Sequence, residues 1–202
     1  MMNNGTNTLW YRQGAASWNE ALPLGNGRLG AMVFGSAENE KLCLNEDTLW
    51  SGYPTFHANP DAPEAYKRAR DLALQGKYAE AQAELEDHCT GLWSQVYLAL
   101  GDISLAMHHA APIERHRRAL DISTGVHTVE YESGGVRFVR ETFISAVDQV
   151  LVMRLTADRA AALSFDVTLS PALDASVSMG DDDLSFCGNA PVYQWHYGTP
   201  QD

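Results

Sequence analysis

The 202-residue chain is short of cysteine, short of positive charge and without any long apolar run, and each shortage removes a class of protein. Its three cysteines, Cys43, Cys89 and Cys187, are far apart and never in C-x-x-C spacing. They read as reduced thiols, which argues against a disulfide framework and against a zinc site. Nowhere do eighteen apolar residues run together, and the opening MMNNGTNTLWYRQ has no basic segment leading into an apolar one. The expectation is a soluble protein with no membrane partner, cytoplasmic, or exported if a signal was removed. Lysine plus arginine total 14 against 26 aspartate plus glutamate, for a formal net charge of -12. A field of that sign repels polyanions, so nucleic acid is not an expected partner. Arg115, Arg117 and Arg118 form only a brief basic cluster, read as a solvated strand edge.

Catalytic signatures are missing as well. There is no G-x-S-x-G elbow, no H-R-D and no D-F-G, which removes the common serine-hydrolase and protein-kinase layouts. His108 and His109 are adjacent on an expected strand and should face apart, and the other histidines lack ligand spacing. No metal and no cofactor is therefore expected. Asp181-Asp182-Asp183 lacks the alternating ligands and terminal glutamate of a calcium loop and reads as a solvated turn.

What is present is a globular composition, 45% hydrophobic, long enough for one sizeable core. Strand patterns cover Thr8–Arg12, Ala31–Phe34 and Lys41–Asn45, the last two joined by a turn-like Ser36–Asn39 and so antiparallel. They return over Leu100–His108, Glu114–Ser123, Val126–Glu132, Val136–Ile144, Gln149–Ala157, Ala162–Ser170, Leu184–Gly188 and Val192–Trp195. Gly134-Gly135 supplies the positive φ of a tight hairpin. Gln149–Thr156 is apolar on both faces, as in a strand buried from both sides. Between these blocks Asp61 and Pro63 start a helix carrying Ala65, Ala69, Leu72 and Ala73. Gly76 stops it, and a second helix from Lys77 to near Gly91 carries Tyr78, Ala81, Leu85 and His88 on one face. The reading is a mainly β chain: one antiparallel β-sandwich over residues 1–202 with an inserted pair of helices at about 61–91. Ending at Asp202 without a closing strand, it reads as truncated.

One stretch invites a nucleotide reading. Gly25-Asn26-Gly27-Arg28-Leu29-Gly30 has G-x-G-x-x-G spacing, with Asp47 twenty positions beyond Gly27. A dinucleotide site needs a strand before these glycines and a helix after them. The segment before them, Ser17–Leu24, carries Pro23 and is not strand-like, and a strand pattern follows. The glycines then serve a crowded turn, and Asn26 and Arg28 are left as candidates to face something outside the domain.

The other dense polar and aromatic stretch is Asn45-Glu46-Asp47-Thr48-Leu49-Trp50. Glycosidic acid–base pairs need carboxylates about 5 to 9.5 Å apart across one sugar. Neighbours in an extended strand point to opposite faces, so Glu46 and Asp47 should bond backbone and loops instead. Trp50 could stack on a pyranose, although Trp10, Trp18, Trp50, Trp93 and Trp195 read more simply as core and interface. No residue is a catalytic candidate.

These same residues carry a resemblance. Trp18–Gly35 and Leu44–Gly52, with Gly76–Gln82, Leu100–Leu105, Gly134–Glu141 and Asp148–Thr156, resemble the N-terminal domain of family 95 glycoside hydrolases, the inverting α-L-fucosidases, over roughly residues 8 to 197. The resemblance implies a sandwich of the super-sandwich type beside a helical linker, an (α/α)6 barrel and a small C-terminal β domain. It places the catalytic residues in the barrel, beyond Asp202, and makes that barrel the expected partner, with oligosaccharide as a second. The loops around Asn26–Arg28 and Glu46–Trp50 are the implied contacts, which makes Asn26, Arg28, Glu46, Asp47 and Trp50 the site candidates. A free-standing carbohydrate-binding module, a purely structural docking domain, or the same domain of a disaccharide phosphorylase are the alternatives.

Overall fold

A computed structural model describes residues 7–52, 59–89 and 95–192. These described residues fall into two compact units, one of 7–50 with 97–190, the other of 51–52, 59–89 and 95–96 with 191–192.

The described part of the first unit is built of strands and turns, with one short 3-10 turn over Trp18–Glu20. In chain order its strands are β1 (Thr8–Tyr11), β2 (Leu22–Gly25), β3 (Leu29–Val33), β4 (Asn39–Glu46), β5 (Gly101–Met107), β6 (Ile113–Asp121), β7 (Val126–Ser133), β8 (Val136–Ile144), β9 (Leu151–Ala157), β10 (Phe165–Pro171), β11 (Ala175–Met179) and β12 (Leu184–Gly188). They form two five-stranded antiparallel sheets, ordered β1-β6-β7-β8-β9 and β10-β5-β4-β3-β2, and a small β11-β12 ribbon. This is the mainly β, antiparallel architecture that the alternating patterns predict, with two helices in the other unit. Gly134 and Gly135 take φ of 58° and 72° and turn β7 into β8, because two successive positive-φ residues match the strand twist.

Alternation decides which side chains face inward. On β7 every second residue is buried, His127, Val129, Tyr131 and Ser133, opposite Thr142, Arg140, Phe138 and Val136 of β8. Two apolar clusters result. Leu22, Leu24, Ala31, Val33, Leu42 and Leu120 form one, and Ala37, Val129, Tyr131, Val136 and Phe138 form the other.

The inner face also buries charged groups. Arg140 pairs with Glu40 of the facing sheet and donates from Nη2 to Ser36 O at 2.6 Å. Glu40 Oε1 accepts from Gly35 N at 2.7 Å and Lys41 N at 2.9 Å, so both carboxylate oxygens are engaged. Arg118 is buried too: its guanidinium lies over Tyr11 and donates to Gln13 O at 2.9 Å and Phe34 O at 3.2 Å. This corrects the solvated-edge reading of the basic cluster for Arg118, since a bulge between Glu114 and Arg117 resets which side chains face in. Burial, with Arg140, Arg118 and His116 nearby, pushes the His127 pKa down to about 3. Gly35 is required here: at φ 69°, an added Cβ would lie 2.7 Å from Arg118 Cδ and 3.2 Å from His127 Cε1.

Four further expectations change. Leu22–Gly25 is a strand despite Pro23, because β2 lies at the sheet edge, where a missing N–H costs no ladder bond. Gln149–Thr156 contains β9, also an edge strand and with no fully buried residue. Leu151 and Met153 face the core, while Val152 faces outward beside Phe143. Trp10, Trp18 and Trp50 are all exposed rather than core, lying on edge strand β1, a 3-10 turn and a strand-end turn. Finally, β5 ends at Met107, so His108 and His109 lie in a connection. There His108 bonds Asp166 at 3.0 Å and His109 packs edge-on to Tyr131 and Phe138. The turn reading of Asp181–Asp183 matches the bond from Gly180 N to Asp183 O. Trp93 and the Val192–Trp195 strand beyond Val192 lie outside the described residues.

The second unit holds a helical hairpin, α1 (Ala62–Leu74) and α2 (Tyr78–His88). Gly76, at φ 77°, ends α1, donating to Ala73 O. The alanines Ala65, Ala69 and Ala81 are the buried residues, which lets the helices approach closely, and Arg68 bridges to Glu84. The face expected of α2 is buried only at Ala81, while Tyr78 and Leu85 are exposed. Asp61 precedes α1 without a side-chain cap bond, and Asn59 Oδ1 accepts from its N–H instead. Among the described residues no helix is long and apolar enough to cross a membrane.

Candidate functional site

All five sequence-derived candidates fall in two turns of the first unit that touch each other. β2 and β3 pair through Gly25 and Gly30, and Gly27, at φ 94°, makes the reversal between them. A strand therefore precedes the glycines, as in a dinucleotide site, but a strand also follows where a helix N-terminus must stand. The glycine stretch is a β-hairpin.

Asn26 points into this hairpin and away from solvent partners. Its Oδ1 accepts from Arg28 N at 3.0 Å and Leu29 N at 2.7 Å. Its Nδ2 donates to Ser145 O at 2.8 Å and Gln149 Oε1 at 3.3 Å. The amide thus fastens the tip of one sheet to the β8–β9 turn of the other.

Arg28 reaches the second turn. Its Nε donates to Glu46 Oε1 at 2.8 Å, and its carbonyl accepts from Asp47 N at 3.0 Å. Glu46 Oε2 also accepts from Thr48 N at 2.8 Å and Thr48 Oγ1 at 2.5 Å. Hydrogen bonds from Thr48 and then Arg28 hold the Glu46 carboxyl below the usual carboxylate range. A general acid needs the opposite shift. Asp47 is exposed and offers its carbonyl to Trp50 Nε1 at 2.9 Å.

Trp50, 46% exposed, meets Tyr97, 43% exposed, edge to face with centroids 5.3 Å apart. With its indole N–H already bonded, Trp50 presents apolar ring surface, the part of tryptophan that suits a sugar's C–H face. Sequence reasoning missed Tyr97 and the Ser145–Gln149 turn, because both join the group only through long-range contacts. Among the described residues no three His, Cys, Asp or Glu side chains gather as a metal site. Burial pushes the Cys43 thiol up, away from reactivity.

Residues 9–201 match the family model described as glycosyl hydrolase family 65, N-terminal domain. The chain belongs to this glycosyl hydrolase N-terminal domain family. The domain is 40% identical over 160 residues to "Alpha-L-fucosidase 2" of Arabidopsis thaliana, covering 78% of this chain and 19% of that protein. It is 33% identical over 159 residues to "Probable alpha-fucosidase A" of Aspergillus oryzae, covering 74% and 21%. A protein of the same name from Aspergillus niger is 33% identical over 145 residues, covering 68% and 18%. The domain therefore spans about a fifth of the length of the curated relatives it matches.

Proposed function

We propose that this chain is the non-catalytic N-terminal sandwich domain of a family 95 α-L-fucosidase, an inverting enzyme acting on terminal α-1,2-linked fucose. The observation that carries the reading is the 40% identity to a relative named as an α-L-fucosidase, of which the chain spans 19%. In the whole enzyme one carboxylic acid protonates the leaving oxygen while a base-activated water attacks the opposite face of the anomeric carbon. Those groups belong to the rest of the polypeptide, by the resemblance an (α/α)6 barrel, against which this domain packs. The state of Glu46 and Asp47 supports the assignment. One is engaged by Arg28 and Thr48 and kept ionised, and the other is exposed in a turn, so the two do not share a cleft as acid and base.

The test is direct. The 202-residue chain should release no nitrophenol from 4-nitrophenyl α-L-fucoside, while the complete polypeptide carrying it should. Release by the chain alone overturns the proposal. The exposed Trp50–Tyr97 pair favours a second reading, a carbohydrate-binding module. Calorimetric titration with fucosylated oligosaccharides decides it: millimolar or tighter binding that disappears in Trp50→Ala supports the module, and no heat supports the docking role.

A further inference from the structure

The β8–β9 turn, Ser145–Val150, was not among the candidates, yet it is built as a rigid projection. Ser145 N donates to Val150 O at 2.9 Å and closes the loop. Ser145 Oγ bonds Asp148 Oδ2 at 2.8 Å and accepts from Asp148 N at 3.0 Å. Gln149 sits at φ 57°, a conformation that residues other than glycine rarely adopt, and its side chain donates to Ala146 O at 2.8 Å. From the other sheet, the Asn26 amide holds both Ser145 O and Gln149 Oε1. Within this brace Val147 is 91% exposed. A flexible loop could fold an apolar tip back against the surface, whereas this one is held outward.

The turn is continuous with the two turns already described. Asn26 joins it to the hairpin, Arg28 joins the hairpin to Glu46 and Asp47, and Trp50 follows on to Tyr97. We propose that these three turns form one docking ridge for the catalytic part of the same polypeptide, with Val147 as its apolar anchor seated in a recess there and Asn26 as a positioning residue. The inference rests on the reading under Proposed function. A sugar is the wrong occupant for this tip, because valine offers neither a ring to stack on nor a hydrogen bond. A second copy is disfavoured too, since it would bring Glu46, Asp47 and Asp148 against themselves in a chain of net charge -12. A polypeptide is the fitting occupant: the matched relatives are about five times as long as the segment they share with this chain. Asn26, taken from the sequence as a contact, is reassigned, because its amide is already occupied within the domain.

Hydrogen exchange on the 202-residue chain and on the complete polypeptide tests this. Amides of residues 26–28, 46–50 and 145–150 should exchange at least tenfold more slowly in the complete polypeptide, and those around Glu130 and Glu141 should not change. Val147→Asp should leave the melting temperature of the 202-residue chain unchanged. In the complete polypeptide it should abolish the slowing at 145–150 and split one melting transition into two. A complete polypeptide that hydrolyses the fucoside while the three turns exchange as in the short chain overturns the ridge and leaves the functional reading standing. A complete polypeptide without fucosidase activity but with the turns protected overturns the functional reading instead.

Discussion

At the scale of single residues, the centre of the sandwich depends on one carboxylate. Glu40 faces Arg140 directly and lies near Arg118, and all three are buried. Replacing Glu40 by Gln keeps the shape and removes the only buried countercharge among the described residues. Urea unfolding should show a loss of about 3–5 kcal/mol, the cost of a buried charge left unpaired. His127 gives a pH signature. Its pKa is lowered from 6.5 to about 3, so the fold favours the neutral ring. Its contribution is complete above the unfolded value near pH 6.5. It is lost as pH falls toward 3, by roughly 1.4 kcal/mol per pH unit. The His127→Gln variant should have a flatter stability profile across that window when melting curves of the two proteins are compared. Neither role was legible in the sequence. A histidine and two arginines on strands look like surface residues until a facing sheet closes over them.

At the scale of elements, hairpins were the most legible features. Gly134-Gly135 between two alternating strands specifies a turn by local sterics alone, and the structure forms it. The Gly25–Gly30 stretch was read correctly as a turn, but the strand before it was missed because Pro23 argues against a central strand and says little about an edge. The short β11 was missed as well, since Ala-Ser-Val-Ser-Met lacks the bulk that marks a strand. The link between the β2–β3 hairpin and the β8–β9 turn is a single side chain. Asn26→Ala removes its four hydrogen bonds. It should cost about 1–2 kcal/mol by denaturant titration, partly compensated by water at these surface turns. Asn45–Trp50 shows the limit of local reading: its residues were nominated together, but only the pairing of β3 with β4 brings Arg28 to Glu46.

At the scale of the molecule, the edges of the two sheets matter most. β10 is an edge strand among the described residues, and Phe165 and Val167 on it are exposed. Unpaired apolar edges template association. Sedimentation velocity should therefore show concentration-dependent self-association of the 202-residue chain, and Val167→Lys should raise the concentration at which it begins. The net charge of -12 opposes this association weakly at physiological salt, where screening is strong beyond about 8 Å. By itself the sequence determined the strand-rich class, the helical insertion, the hairpin glycines and the glycosidase kinship, because period-two patterning, turn sterics and long shared motifs act locally along the chain. Only the tertiary structure decided that Arg118 and Arg140 meet Glu40 in the interior with His127 buried beside the two arginines, that three tryptophans lie outside, and that the turn bearing Val147 joins the turns of Arg28 and Trp50. Those outcomes depend on which faces of two sheets come together, and burial and hydrogen-bond partners exist only after they do.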